Sequence, residues 1–192
     1  QESLPEEAIE AAVKVMRHGR LHRYNVAENE TSEVALFEQD FANKFDARFC
    51  LACASGGYAM TTALRAMGVE FGDKILTNGF TLAPVPGAIA AAGGEVVFVE
   101  VNNDLLIDFN DLEQKIISSN SKVLLLSHMR GHICNMDLLM SLCGKYGVKV
   151  VEDCAHTMGA KWNHEWSGKY GIVGCYSTQT YKHLNSGEGG II

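Results

Sequence analysis

Short apolar runs alternating with stretches of helical period constrain this chain more than any other feature. The runs are Phe49–Cys53, Lys74–Thr77, Glu95–Glu100, Lys122–Ser127, Lys149–Glu152 and Ile172–Ser177. Helical patterns at 57–67, 82–92, 110–117 and 136–146 lie between them, and two more at 5–18 and 32–45 precede them. Thr31 or Ser32 is the expected N-cap of the second of these, with Glu33 close behind. Strands apolar on both faces and spaced by helices predict an α/β domain with a largely parallel sheet. The sequence shows no repeats, low-complexity tracts or linkers.

Composition narrows the partners. Apolar residues are 47% of the 192 and charged ones 20%, the balance of a soluble globular protein. Net charge is -7 without an extended basic cluster, which argues against nucleic acid or an anionic membrane as main partner. A small anionic ligand stays open, because backbone N–H groups alone bind phosphate. Apolar stretches are too short for a membrane span, and the acidic, amphipathic N-terminus lacks the basic start and apolar run of a signal peptide. The six Cys sit mostly in apolar runs, which suits buried free thiols in a reducing cytoplasm. Cys50 and Cys53 form a CxxC, but a strand there would turn them to opposite faces. His128 and His132 have HxxxH spacing in a strand-to-loop segment broken by Gly131, a poor frame for a metal. No metal is expected.

In an open parallel sheet, ligands bind beyond the C-terminal strand ends, so the polar residues there are the candidates. Ala54-Ser55-Gly56-Gly57 leads from the first strand into a helix. It reads either as a plain strand–helix turn or as an anion site, where glycines let backbone approach a phosphate at the positive helix end. Glu152-Asp153 ends another strand. A buried Asp there costs several kcal/mol unless paired, so it either caps the next turn or meets a cation such as a pyridinium nitrogen. Lys182 lies in a Ser/Thr/Gly-rich turn after Ile172–Ser177. It is either a solvated surface residue or an amine desolvated at the ligand edge, and a neutral amine is what imine formation requires. An anion-binding helix start, a carboxylate for a ring nitrogen and a lysine for an aldehyde together are the groups that pyridoxal 5'-phosphate (PLP) demands.

At these residues the chain resembles the DegT/DnrJ/StrS-type sugar aminotransferases of PLP fold type I, from about residue 24 to 192. The resemblance rests on Phe37-Glu38-x-x-Phe41-Ala42, Ser55-Gly56, Glu152-Asp153-x-Ala155-His156-x-x-Gly159-Ala160 and Ser177-x4-Lys182-x4-Gly187-Glu188-Gly189-Gly190. It implies a three-layer α/β/α large domain. It also implies Lys182 as the Schiff-base lysine and Asp153 as partner of the pyridine nitrogen. His156 would lie near the phenolic oxygen, with Ser177 and the N–H groups of Gly56 and Gly57 on the phosphate. Family members usually carry Thr where this chain has Gly57, and an aromatic ring over the cofactor where it has Leu82; Phe80 would serve if the register differs. A homodimer is implied, with the partner subunit completing the phosphate site. The chain stops at Gly189-Gly190-Ile191-Ile192, as a strand begins. Residues 1–192 are therefore expected to be an incomplete PLP-binding domain (1–30 an N-terminal segment, 31–192 the α/β core) whose C-terminal small domain is absent.

The implied reaction transfers an amino group from glutamate or glutamine to a keto sugar carried on a nucleotide. The alternatives are a PLP-dependent lyase or dehydratase, or a binding or regulatory module that keeps the fold. Family dehydratases carry His in place of the lysine, whereas Lys182 is retained here beside His183. Trp162 and Trp166 flank a hairpin turn. Arg23-Tyr24-Asn25 reads as an ordinary loop, although the resemblance brings that segment near the substrate cleft.

Overall fold

A computed structural model describes residues 3–21, 23, 24 and 26–192, in two compact units, Gln1–Cys50 and Leu51–Ile192. Asn25 lies outside the described residues. The first unit holds two helices. Helix α1 (Glu6–His18) has acids in its first turn and bases in its last, which complements the helix dipole, and Gly19 ends it at φ 71. Helix α2 (Glu33–Lys44) is capped by Ser32, not Thr31: the Ser32 side chain accepts the Ala35 N–H at 3.2 Å. Along it Phe37, Phe41 and Phe45 recur every four residues, so their rings meet on one face, with centroids 6.1 and 4.4 Å apart. Nearby, Arg23 is paired with Glu38 at 2.6 Å.

The second unit contains, in order, β1 (Ala52–Cys53), α3 (Gly56–Ala66), β2 (Lys74–Asn78), α4 (Pro84–Ala92), β3 (Glu95–Val99), α5 (Phe109–Ser119), β4 (Val123–Ser127) and α6 (Met136–Tyr146). Then follow β5 (Lys149–Asp153), β6 (Lys161–Trp162), β7 (Glu165–Trp166), β8 (Val173–Ser177) and β9 (Gly190–Ile191). The main sheet runs β1-β9-β8-β5-β4-β2-β3. Its body from β8 to β3 is parallel, while β9 pairs antiparallel with both β8 and β1.

Strand alternation divides the core in two. Ile75, Val123, Leu125, Val151 and Cys175 face α3 and α4, where Ala59, Met60, Leu64, Val85 and Ile89 are buried. Leu76, Leu124, Leu126 and Val150 face α5 and α6, where Leu112, Ile116, Met136 and Leu139 are buried. This is the three-layer α/β/α arrangement, and it explains why the strands read as continuous apolar runs. Each fully buried Leu contributes about 1.5–3 kcal/mol relative to exposure.

One expected strand is shorter than its apolar run. Phe49–Cys53 yields only Ala52–Cys53 as strand: Ala52 pairs with Ile191 and Cys53 with Gly190, and Leu51 exchanges two backbone hydrogen bonds with Ile192. Phe49 is exposed. Cys50 thus lies outside the strand, so strand alternation is not what separates it from Cys53. Cys134, Cys143, Cys154 and Cys175 are buried free thiols. The expected hairpin forms from β6 and β7, with Asn163 at φ 51 in its two-residue turn. Lys161 Nζ stands 3.9 Å over the Trp166 ring. No described helix is long and apolar enough to cross a membrane.

Candidate active site

Parallel pairing brings the C-terminal ends of β4, β5 and β8 to one sheet edge. Register sets Ser127 beside Asp153, and Asp153 beside Cys175. Asp153 is buried; Ser127 Oγ donates to its Oδ2 at 2.9 Å and the Ala155 N–H to its Oδ1 at 3.1 Å. The neighbouring Glu152 points to the opposite face. It accepts the Gly168 N–H at 3.0 Å, the Gly171 N–H at 2.7 Å and His128 Nε2 at 3.0 Å, which fastens the turn after β7 to β5. Two adjacent carboxylates at one strand end thereby take separate tasks, one inside the layer and one at the edge.

Helix α3 begins at the same edge. Ser55 is its N-cap at φ -165, and its hydroxyl accepts the Tyr58 N–H at 3.1 Å. That leaves the first-turn N–H groups of Gly56 and Gly57 without an acceptor among the described residues. Gly56 sits in a tight place: a Cβ there would stand 3.0 Å from Ser177 Cβ, in the last residue of β8. Gly57 does not, since the nearest atom to its would-be Cβ is Ser55 Oγ at 3.9 Å.

A cavity of about 350 Å³ opens between these elements. Ser55, Gly56, Gly57, Leu82, Asp153, His156, Ser177 and Lys182 all line it, so every residue singled out for the site lies on one wall or another. Leu82, not Phe80, faces the cavity; the Phe80 ring turns edge-on to His132 at 6.3 Å. Met129, Ser127, Gln179 and Glu188 also line it and were missed by reading the sequence. Ser127 was recoverable, because it and Asp153 are the last residues of adjacent parallel strands. Glu188 stood in the motif after the lysine but was given no role at the site.

Lys182 Nζ lies 2.9 Å from His156 Nε2, and His156 Nδ1 accepts the Arg130 N–H at 3.2 Å. Burial pushes the Lys182 amine below the usual lysine range; Asp153 opposes this and Arg130 adds to it. Burial likewise holds His156 down, helped by Lys182. His128, Glu152 and Cys154 bring three potential metal-ligand atoms within 4.8 Å of one another. Each is already hydrogen-bonded inside the protein: His128 to Glu152, Glu152 also to two backbone N–H groups, and Cys154 Sγ accepting from Ser167 Oγ at 3.2 Å. His132, the other histidine of the HxxxH spacing, is not in that group.

Residues 3–192 match the model of the DegT/DnrJ/EryC1/StrS aminotransferase family. The chain is 29% identical over 157 residues to a GDP-perosamine synthase from Escherichia coli O157:H7, covering 81% of this chain and 43% of that one. It is 28% identical over 182 residues to an L-glutamine:2-deoxy-scyllo-inosose aminotransferase from Streptomyces kanamyceticus, covering 95% of this chain and 43% of that protein. Its fold superposes, with a TM-score of 0.89 at 21% identity, on the PLP-form of a Streptococcus pneumoniae protein assigned as a sugar aminotransferase, over 98% of this chain and 50% of that one. The chain thus spans half or less of the length of each.

Proposed function

The chain belongs to the DegT/DnrJ/EryC1/StrS aminotransferase family, and from that premise we propose that it forms the cofactor-holding part of a PLP-dependent sugar aminotransferase. The observation that carries this is the convergence of an amine, a buried carboxylate and unpaired helix-start N–H groups on one cavity. The residues present fit PLP. Gly56 and Gly57 offer two free N–H groups at the positive end of α3, with the Ser177 hydroxyl beside them, a cradle for a dianionic phosphate. A cavity of about 350 Å³ suits one small ring compound. Asp153, fixed by Ser127 and Ala155, is an anion held ready for a protonated ring nitrogen.

Bound PLP supplies an aldehyde that condenses with an amine and a ring that takes up an electron pair. The chain's own groups do the rest. Lys182 is the amine that holds the cofactor, and once released it moves the proton at the substrate carbon. Asp153 keeps the ring nitrogen charged. Leu82 covers one face of the cavity and excludes water. His156 orients the lysine.

The amino donor is glutamate or glutamine, and the acceptor a keto sugar on a nucleotide. The names of the two relatives support this, one forming a GDP-linked amino sugar and the other taking nitrogen from glutamine. Retention of Lys182 favours transfer over dehydration. The protein works as a homodimer in the cytoplasm. The four buried free thiols agree with a reducing compartment. The test is reconstitution with PLP, borohydride reduction and peptide mass analysis, followed by single-turnover formation of a keto acid from glutamate or glutamine. A PLP-sized mass on Lys182, lost in Lys182→Ala, supports the reading. Wild-type protein that takes up no PLP at Lys182 refutes it.

A further inference from the structure

A proton count around His156 reaches beyond the assignment of Lys182. Arg130 follows β4 with φ 58 and ψ 18, and Gly131 continues in the same left-handed region at φ 84. This turn aims the Arg130 N–H at His156 Nδ1, 3.2 Å away. An N–H can only donate, so Nδ1 must be the bare nitrogen of the ring. The ring's single proton then resides on Nε2, which faces Lys182 Nζ at 2.9 Å. A protonated lysine has three donors and no acceptor, so it would set donor against donor there. Both contacts are satisfied together only when His156 is the neutral Nε2–H tautomer and Lys182 is the neutral amine.

We infer that the backbone N–H of Arg130, acting through His156 as a positioning residue, holds Lys182 in its unprotonated, nucleophilic form before any cofactor arrives. Other charged groups bear on the pair. Asp153 on β5 favours both protonated forms, the Arg130 guanidinium disfavours both, and His183 disfavours protonation of His156. The relay adds a stereochemical demand that charge alone does not make: one acceptor and one donor, on opposite ends of a neutral side chain. Glutamine meets that demand and methionine does not, although both are uncharged and of similar reach. The relevance to catalysis rests on Lys182 being the cofactor lysine. The proton count itself does not, so the test uses the ligand-free chain and its failure leaves the cofactor reading intact.

The experiment follows histidine and lysine side-chain nitrogens by NMR in the 15N-labelled chain, with Lys182 also followed by pH-dependent acetylation read by mass spectrometry. The His156 signals are assigned by their loss in His156→Gln. The expected result is a bare Nδ1 and a protonated Nε2 on His156, with Lys182 titrating below the surface lysines. Arg130→Gly keeps the N–H and the turn, so the tautomer persists. His156→Gln keeps the low Lys182 midpoint, whereas His156→Met raises it despite adding an apolar neighbour. A proton on Nδ1 of wild-type His156 overturns the inference, as does a Lys182 midpoint in His156→Met equal to or below that of wild type.

Discussion

Replacing Glu152 by Leu removes the acceptor for three donors that have no other among the described residues. Two of them, the Gly168 and Gly171 N–H groups, are backbone and cannot be exchanged for apolar groups; the third is His128 Nε2. Glu152 is fully buried, so water does not replace the lost partner. Each orphaned donor costs about 1–3 kcal/mol, which sums to about 3–9 kcal/mol. Relief of the buried charge offsets part of this, so the low end of that range is the expected loss. Against a total stability of about 5–15 kcal/mol this is large. For a chain of this size, 3 kcal/mol lowers the melting temperature by roughly 6–12 °C. Glu152→Gln is the control. With its carbonyl placed where Oε2 now accepts from Gly168 and His128, it leaves one N–H facing the amide and costs about 1–3 kcal/mol. The assay is urea unfolding followed by far-ultraviolet circular dichroism and by the fluorescence of Trp162 and Trp166, which lie in the segment that Glu152 fastens. A loss below about 1 kcal/mol in Glu152→Leu refutes the reasoning, and so does a Gln variant as unstable as the Leu one.

Further outcomes follow from the cavity and the core. Leu82→Phe places an aromatic face on the cavity and should tighten PLP by about 0.5–1.5 kcal/mol, read as cofactor affinity by spectroscopic titration; unchanged affinity would show that Leu82 does not cover the ring. Gly57→Thr has room for its Cβ and adds a hydroxyl at the helix start, so phosphate and PLP should bind more tightly, by calorimetry. Gly190→Ala should destabilise both fold and cofactor site, because its Cβ would collide with the Ser55 carbonyl and crowd the Gly56 nitrogen; thermal unfolding and PLP uptake check this. Burial pushes the Cys134 thiol up to about 12 and Cys143 up to about 11, against an ordinary 9.0. Above pH 9 the unfolded chain therefore loses thiol protons that the folded chain keeps, and stability should fall as pH rises from 9 toward 12, by urea unfolding at stepped pH.

The order of elements was legible because strands buried on both faces leave unbroken apolar runs. Val123-Leu124-Leu125-Leu126 is such a run, and helices supply the layers that hide it. The limits of β1 were not legible, since a two-residue strand is set by a distant partner and not by its own composition. The site followed a similar division. Lys182, Asp153 and the Ser55–Gly57 turn stood out because their residue types are costly or unusual at strand ends. The Arg130 contact to His156 could not be read, because it runs through a backbone N–H that any residue but proline would offer. Nor could the task of Glu152, which accepts the Gly168 and Gly171 N–H groups, be read, because those partners follow a hairpin and carry no side-chain signal.

The antiparallel strand β9 has a consequence for the time course of folding. It stands between β1 and β8, so β1 reaches the rest of the sheet only through residues from the far end of the same unit. Pairing so remote in sequence closes a long loop and forms slowly compared with helices and neighbouring strands. During synthesis, β2 to β5 emerge and can collapse with their helices while the seat of β1 is still unmade. The start of α3, which follows β1 directly, is then steadied last. A chain arrested before Gly190 would own a packed core and the lysine, yet lack the strand that braces the backbone at Ser55.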